Sequence, residues 1–391
     1  VGDTIVVGAG IFGVTAALEL RSRGHAVRLL DPGPLPHPLA ASTDISKIVR
    51  MEYGADRDYA VLGERSLEGW RRWNEDLGVT LFHESGVLFM RRTPLAPGTF
   101  EGESLRVLEA LGHRLERIDR RTLAARYPAW NAELYADGTF DAEGGFVESG
   151  RVVGRLVAEA RARGVSLEVG AFDRLLLRES RVTGVLTRDG SRHEAEHVVL
   201  ALGAWTPHAL PELARSLRST GHPVFHLRPA NPALFQAERF PVFGADISAT
   251  GYYGFPLHPV AGVVKVARHG PGRVMHPEAP ERAVTEAETA DLRAFLRGSF
   301  PALADAPVVA TRICLYSDTW DGHFWIARDP GREGLVVATG DSGHGFKFGP
   351  VLGAIVADAV EGKKNPLAEK FRWRPEVHPD RTEEAARFQG D

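Results

Sequence analysis

The sequence predicts an α/β fold in which a Rossmann-like dinucleotide-binding domain is interleaved with an α+β domain built on an antiparallel sheet. Three observations predict it. A strand, a glycine-rich turn, a helix and a second strand ending in an acid follow one another over residues 4–31. Another buried strand, at residues 196–203, runs into Gly203. Strand-rich and turn-rich stretches at 82–148 and 216–322 assign to the second domain and leave 1–81, 149–215 and 323–391 to the first.

The opening run Thr4-Ile5-Val6-Val7 is short and apolar, and Gly8, Gly10 and Gly13 follow in the spacing G-x-G-x-x-G. Gly8 permits a tight turn, Gly10 lets the backbone approach a pyrophosphate, and Gly13 lets the helix pack close to the strand. The helix N-terminus at Ile11 and Phe12 offers unpaired N–H groups and a positive dipole end to phosphates. Asp31 ends the second strand, where it can accept hydrogen bonds from a ribose. The proline-rich residues 32–38 cannot be helix. They lead to Ser42, a small polar candidate for cofactor contact, and to Lys47 and Arg50, cations three residues apart that are candidate anion ligands.

A helix is expected over 58–77 with Gly78 as its stop, a strand over 87–90 and a helix over 103–111. Ser149 is a plausible N-cap for a helix that runs to Gly164, and two strand-like runs around Glu179-Ser180 read as a hairpin. The strand before Gly203 can pass its backbone beneath a ligand, as the second nucleotide-side strand of a glutathione-reductase-type flavoprotein does. In residues 263–269 the strand period puts Lys265, Ala267 and His269 on one face, which turns either to solvent or to a cavity. Thr285 and Glu288 form a capping box ahead of a helix. At Gly340 a strand breaks into the loop Gly343-His344-Gly345-Phe346-Lys347, with a helix N-terminus behind it able to stabilise developing negative charge. The tail after Gly362 is polar, charged and proline-punctuated, and no chemistry is read there.

Composition narrows the function classes. The 391 residues are 43% apolar and 25% charged, with a formal net charge of −4. No apolar run approaches the roughly 20 residues that span a bilayer, and no signal-peptide core is visible, so a cytoplasmic protein without a membrane partner is expected. Nothing basic and aromatic suggests nucleic acid. The single cysteine, Cys314, excludes an intramolecular disulfide and a cysteine-based zinc cluster, and no metal site is read.

Only one dinucleotide fingerprint is present, which favours a flavin reoxidised by oxygen or another acceptor over a flavin served by NAD(P)H. Five segments then carry a resemblance. They are the opening unit; Ser46-Lys47-Ile48-Val49-Arg50-Met51-Glu52-Tyr53-Gly54; Tyr252-Tyr253-Gly254-Phe255-Pro256 with Lys265 and His269; Cys314-Leu315-Tyr316 followed by His323-Phe324; and Ser342-Gly343-His344-Gly345-Phe346-Lys347-Phe348. On these the chain resembles the amine-oxidising flavoproteins of the D-amino-acid-oxidase superfamily, in particular the group of monomeric sarcosine oxidase, N-methyltryptophan oxidase, pipecolate oxidase and fructosyl amino acid oxidase. The resemblance implies FAD held covalently through a thioether to Cys314, with Arg50 and Lys347 gripping the substrate carboxylate. It implies Lys265 as the cation that promotes oxygen reduction, His269 and Tyr253 at the pocket wall, and His344 in a flavin-facing loop with Gly343, Gly345 and Phe346. Lys47, beside the flavin ring, departs from the arginine commoner in sarcosine oxidases, and the interval from Tyr253 to Lys265 is one residue longer. The implied activity is oxidation of the C–N bond of a secondary-amine amino acid, with O2 as co-substrate, by a monomer. The alternatives are a D-amino-acid or glycine oxidase, a flavin dehydrogenase using another acceptor, and a non-catalytic or NAD-binding Rossmann protein.

Overall fold

Ile5, Val6 and Val7 are β-branched and buried on both faces of the sheet, and this suits Asp3–Val7 to a central position between parallel strands. The computed structural model, which describes residues 2–376 and 384–388, pairs it with Ala26–Asp31 on one side and His197–Leu200 on the other. Ser166–Val169 and Leu335–Thr339 extend the sheet in parallel, and Trp325–Arg328 completes the six strands as an antiparallel edge. The helix Ile11–Ser22 packs against both Ser149–Ala162 and Gly349–Glu361. Gly353 makes the second contact possible, since a Cβ there would lie 2.4 Å from the Thr15 carbonyl oxygen. The expected hairpin is present as Phe172–Arg178 and Arg181–Thr187, with Arg192–Glu194 as a third strand.

These elements form one of two compact units, residues 1–44, 149–220 and 315–383. The other comprises 45–148, 221–314 and 384–391. Its main sheet has nine strands, with Val264–Arg268 held between Leu217–Leu227 and Tyr252–Leu257 by antiparallel pairing. Val87–Arg91 and Val242–Ala245 pair in parallel, an exception to the antiparallel sheet that was expected. An aromatic core of Trp130, Tyr135, Phe240, Phe243 and Phe300 packs edge to face beneath it.

Residues 45–81, expected with the first domain, group with this second unit. Strand pairing explains the placement. Lys47–Val49 and Phe82–His83 both pair with Gly145–Val147 in a small antiparallel sheet. The helix Arg57–Leu77 follows, capped by Asp56 through the Tyr59 N–H and stopped at Gly78 with φ +61°. Ser149 is the first residue of its helix rather than the cap. Its hydroxyl donates to the Asp44 carbonyl at 2.9 Å, because the incoming chain brings that acceptor alongside. The Thr285–Glu288 capping box is present.

Candidate functional site

The fingerprint residues of the first unit meet the demands placed on them. Gly8 has φ +99°, and a Cβ on Gly13 would fall 1.7 Å from the Gly8 carbonyl oxygen, so no side chain fits there. The Ser42 hydroxyl accepts from the Ile11 N–H at 3.0 Å and lies beside Gly10. Helix geometry leaves the N–H groups of Phe12 and Gly13 without intrahelical acceptors, and the first turn carries no acid to compete for them. Asp31 holds the turn itself, accepting from the Ala9 N–H at 2.8 Å and the Gly33 N–H at 2.9 Å. Gly203, with φ +50°, has open space where a side chain would be. Bare glycines, amide donors without intrahelical acceptors and an acid at the strand end fit the pyrophosphate and ribose of a dinucleotide cofactor.

The late loop also belongs to the first unit. Ser342 adopts φ +43°, and the loop is tied to the strand Val308–Thr319 by the Ser317 N–H donating to Asp341 at 2.8 Å. Gly343 and Gly345 are required by packing, since Cβ atoms there would meet the Tyr316 and Phe12 rings at 2.2 and 2.8 Å. His344 stacks on Phe324 and donates from Nε2 to the Gly322 carbonyl at 2.9 Å. Lys347 is buried, and its Nζ donates to the His344 carbonyl at 2.8 Å. Phe346 opens the turn that leads into Gly349–Glu361.

In the second unit, the face carrying Lys265, Ala267 and His269 is buried, which resolves the choice the strand period left open. Lys265 Nζ donates to the Ser46 carbonyl at 2.5 Å and sits 4.7 Å from the Phe255 ring centre. Lys47 Nζ lies 3.3 Å from Cys314 Sγ. Arg282, whose guanidinium donates to the Ile313 carbonyl, adds positive charge beside the same sulfur. Burial and the neighbouring Arg312 lower its pKa to about 10.

Arg50 is also buried. Its guanidinium is boxed by the rings of Tyr53, Phe89 and Phe100 at 4.6, 5.7 and 5.4 Å. Nη2 donates to Glu384 Oε1 at 2.8 Å, while Nη1 is buried with no hydrogen-bond partner among the described residues. His269 donates from Nε2 to the other Glu384 oxygen at 3.0 Å, and the Tyr253 ring stands edge-on to the imidazole. Burial pushes the pKa of His269 down against the opposing pull of Glu384, which favours a neutral ring.

Two further carboxyls belong to this neighbourhood. Glu52 is wholly enclosed, and burial together with the charge of Asp141 pushes it up to about 8, with Arg50 opposing. Burial, and then the Glu143 carboxylate, raises Asp141 to about 6. Each acid keeps one buried oxygen without a partner among the described residues.

Glu384, Glu52 and Asp141 escaped the sequence reading. In the tail after Gly362, where no chemistry is read, Glu384 pairs with two of the expected site residues. The second of two carboxylates around an Arg–aromatic cluster carries no local sequence signal. For Glu52, its place inside the segment Ser46–Gly54 was the only available clue. Among the described residues no group of three or more His, Cys, Asp or Glu could hold a metal ion, and no helix is long and apolar enough to cross a membrane.

Comparison with known proteins identifies the family. The family model described as FAD dependent oxidoreductase (DAO) matches residues 3–359. L-saccharopine oxidase of Schizosaccharomyces pombe is 27% identical over 95% of this chain and 92% of its own length. Monomeric sarcosine oxidase of Bacillus sp. is 27% identical over 92% of this chain and 93% of its own. Among solved structures, fructosamine oxidase (Amadoriase II) of Aspergillus fumigatus superimposes with a TM-score of 0.86 at 26% identity, covering 100% of this chain and 94% of that one.

Proposed function

Because the chain belongs to the DAO family of FAD-dependent oxidoreductases, we propose that it oxidises the C–N bond of a secondary-amine amino acid with O2, yielding an imine and hydrogen peroxide. The observation that carries the reading is the buried guanidinium of Arg50 with Nη1 lacking a partner among the described residues. A buried donor on a fixed cation is costly unless an anion completes it, and a substrate carboxylate is the anion that places an amino acid. The relatives named for saccharopine, sarcosine and fructosamine act on amines bearing a second carbon substituent, and the same substrate class is assigned to this chain.

FAD, when bound, supplies the two-electron acceptor for the hydride leaving the carbon next to nitrogen and hands the electrons to oxygen. The fingerprint residues Gly8, Gly10, Ile11, Phe12 and Gly13, with Ser42, Asp31 and Gly203, would hold its nucleotide half. Gly343, Gly345, Phe346 and Lys347 would line its approach, and Cys314 would carry it covalently, with Lys47 beside the sulfur. Arg50 and Lys347 grip the carboxylate in this assignment. The amine reacts in its neutral form, and His269 is suited to accept its proton: with Nε2–H committed to Glu384, the lone pair lies on the other ring nitrogen. Tyr253 shapes the wall beside that imidazole. Lys265 is a fixed buried cation, able to stabilise forming superoxide. His344, anchored to the Gly322 carbonyl, braces the loop. Soluble, cytoplasmic, monomeric operation completes the proposal.

A peroxide assay over sarcosine, other N-methyl amino acids, proline, pipecolate and fructosyl amino acids tests it. Activity is expected on at least one, together with loss on the matched amine that lacks the carboxylate. Silence on all of them with turnover of D-amino acids would assign the chain to a D-amino-acid oxidase chemistry instead.

A further inference from the structure

The carboxylate of Glu384 already holds the Arg50 nitrogen that a substrate carboxylate would need. A guanidinium receives a carboxylate best through two parallel N–H bonds. Here one of the two terminal nitrogens, Nη2, already donates to Glu384 at 2.8 Å, and Nη1 has no partner among the described residues. Glu384 has the reach to bridge because it belongs to a docked segment. Ala386 is fully buried among Val87, Phe89, Phe100 and Phe255. The Phe388 N–H donates to the His269 carbonyl at 3.0 Å, and Arg387 reaches the Gly270 carbonyl and the His222 ring at 3.4 Å each. Three glycines make the seat. A Cβ on Gly54 would come within 3.2 Å of Ala385, and Cβ atoms on Gly251 and Gly270 would come within 3.2 and 3.1 Å of Phe388. The packing is that of a built site rather than a passing tail.

We propose that residues 384–388 deliver an intramolecular competitor, Glu384, to the carboxylate anchor, and that this contact determines which substrates the site accepts. The proposal rests on Arg50 being the anchor. A substrate held only by one carboxylate must either displace Glu384 from Nη2 or bind one-handed beside a like charge, and both weaken it. Substrates that gain contacts elsewhere along their length tolerate the competition. The segment therefore discriminates against the smallest N-methyl amino acids in favour of larger ones.

Acetate is the probe, since it carries the carboxylate and nothing else. Its binding to the purified holoenzyme is measured by titration calorimetry for wild type, Glu384→Gln, Glu384→Ala and Arg387→Ala. The last variant loosens the seat without touching the carboxylate. All three are expected to bind acetate at least tenfold more tightly than wild type, and Arg50→Met in the Glu384→Ala background is expected to abolish the gain. Weaker or unchanged binding in the Glu384 variants, with unfolding midpoints near wild type, would make Glu384 a positioning residue for Arg50 and overturn the competitor role. If Glu384→Ala fails to fold, the Gln and Arg387→Ala variants carry the same test. Turnover is not the readout, so a chain that oxidises no carboxylate-bearing amine would refute the proposed substrate class while the acetate titration still decides this contact. In an active enzyme, KM for sarcosine should fall by the same factor and KM for a fructosyl amino acid by less.

Discussion

Glu52 gives the sharpest quantitative test of the buried charge arrangement. A carboxyl that ordinarily titrates near about 4.3 is held up to about 8 by burial and by Asp141, so the folded chain keeps a proton that the unfolded chain releases. The sign follows directly. Stability is fullest below the ordinary glutamate range and declines as pH rises toward about 8, because the unfolded state binds fewer protons across that window. At about 1.4 kcal/mol per pH unit, the full window is worth on the order of 5 kcal/mol, of which roughly 3 falls between pH 5.5 and 8. Asp141, raised to about 6, adds a smaller decline of the same sign that ends earlier. Glu52→Gln mimics the neutral acid, and its amide oxygen can keep the Met51 N–H, now 3.1 Å from the carboxyl. Urea unfolding at pH 5.5 and 8.5 reads the difference. Because Gln keeps the neutral form at every pH, the variant should exceed wild type by roughly 2 kcal/mol at the lower pH and by roughly 5 kcal/mol at the higher. Parallel losses in the two proteins would refute the assignment, since the pH slope would then belong to other groups.

Two predictions concern the cofactor and oxygen. The purified protein should be yellow and keep its colour in the pellet after acid precipitation, and Cys314→Ala should release the flavin to the supernatant; flavin released from wild type would refute covalent attachment. Lys265→Met preserves the length of a buried side chain but removes its charge and its bond to the Ser46 carbonyl. Rapid mixing should show reoxidation by oxygen slowed at least tenfold with flavin reduction changed far less, and equal losses in both half-reactions would contradict the role assigned.

What the sequence disclosed about this chain is what local backbone physics imposes. Gly8 must take a positive φ and Gly13 must lie against the Gly8 carbonyl, so both show in the primary structure as glycines at fixed spacing. The two-residue strand period likewise put Lys265 and His269 on one face, although only the neighbouring strands decided that the face is buried. The grouping of residues 45–81 with the second unit was illegible because it depends on the pairing of Lys47–Val49 with Gly145–Val147, about a hundred residues on. Glu384 lies 334 positions from Arg50 and 115 from His269, and no local pattern relates an acid in a polar tail to either partner.

One unread acid, Glu384, together with backbone carbonyls accounts for how several of the buried cations persist inside one unit. Lys47, Arg50, Lys265 and Arg282 are all wholly or largely withdrawn from water, and unpaired burial of even one would be severe. Glu384 answers Arg50 directly, whereas Lys265 and Arg282 are answered by backbone carbonyls at Ser46 and Ile313. Glu52 cannot serve as a second counterion while it holds its proton, which leaves Arg50 with one carboxylate rather than two. Nη1, buried with no hydrogen-bond partner among the described residues, is the donor that the proposed substrate carboxylate would complete. A second ionised acid beside Arg50 would compete for the same guanidinium, so the raised Glu52 and the tethered Glu384 both bear on how Arg50 is satisfied.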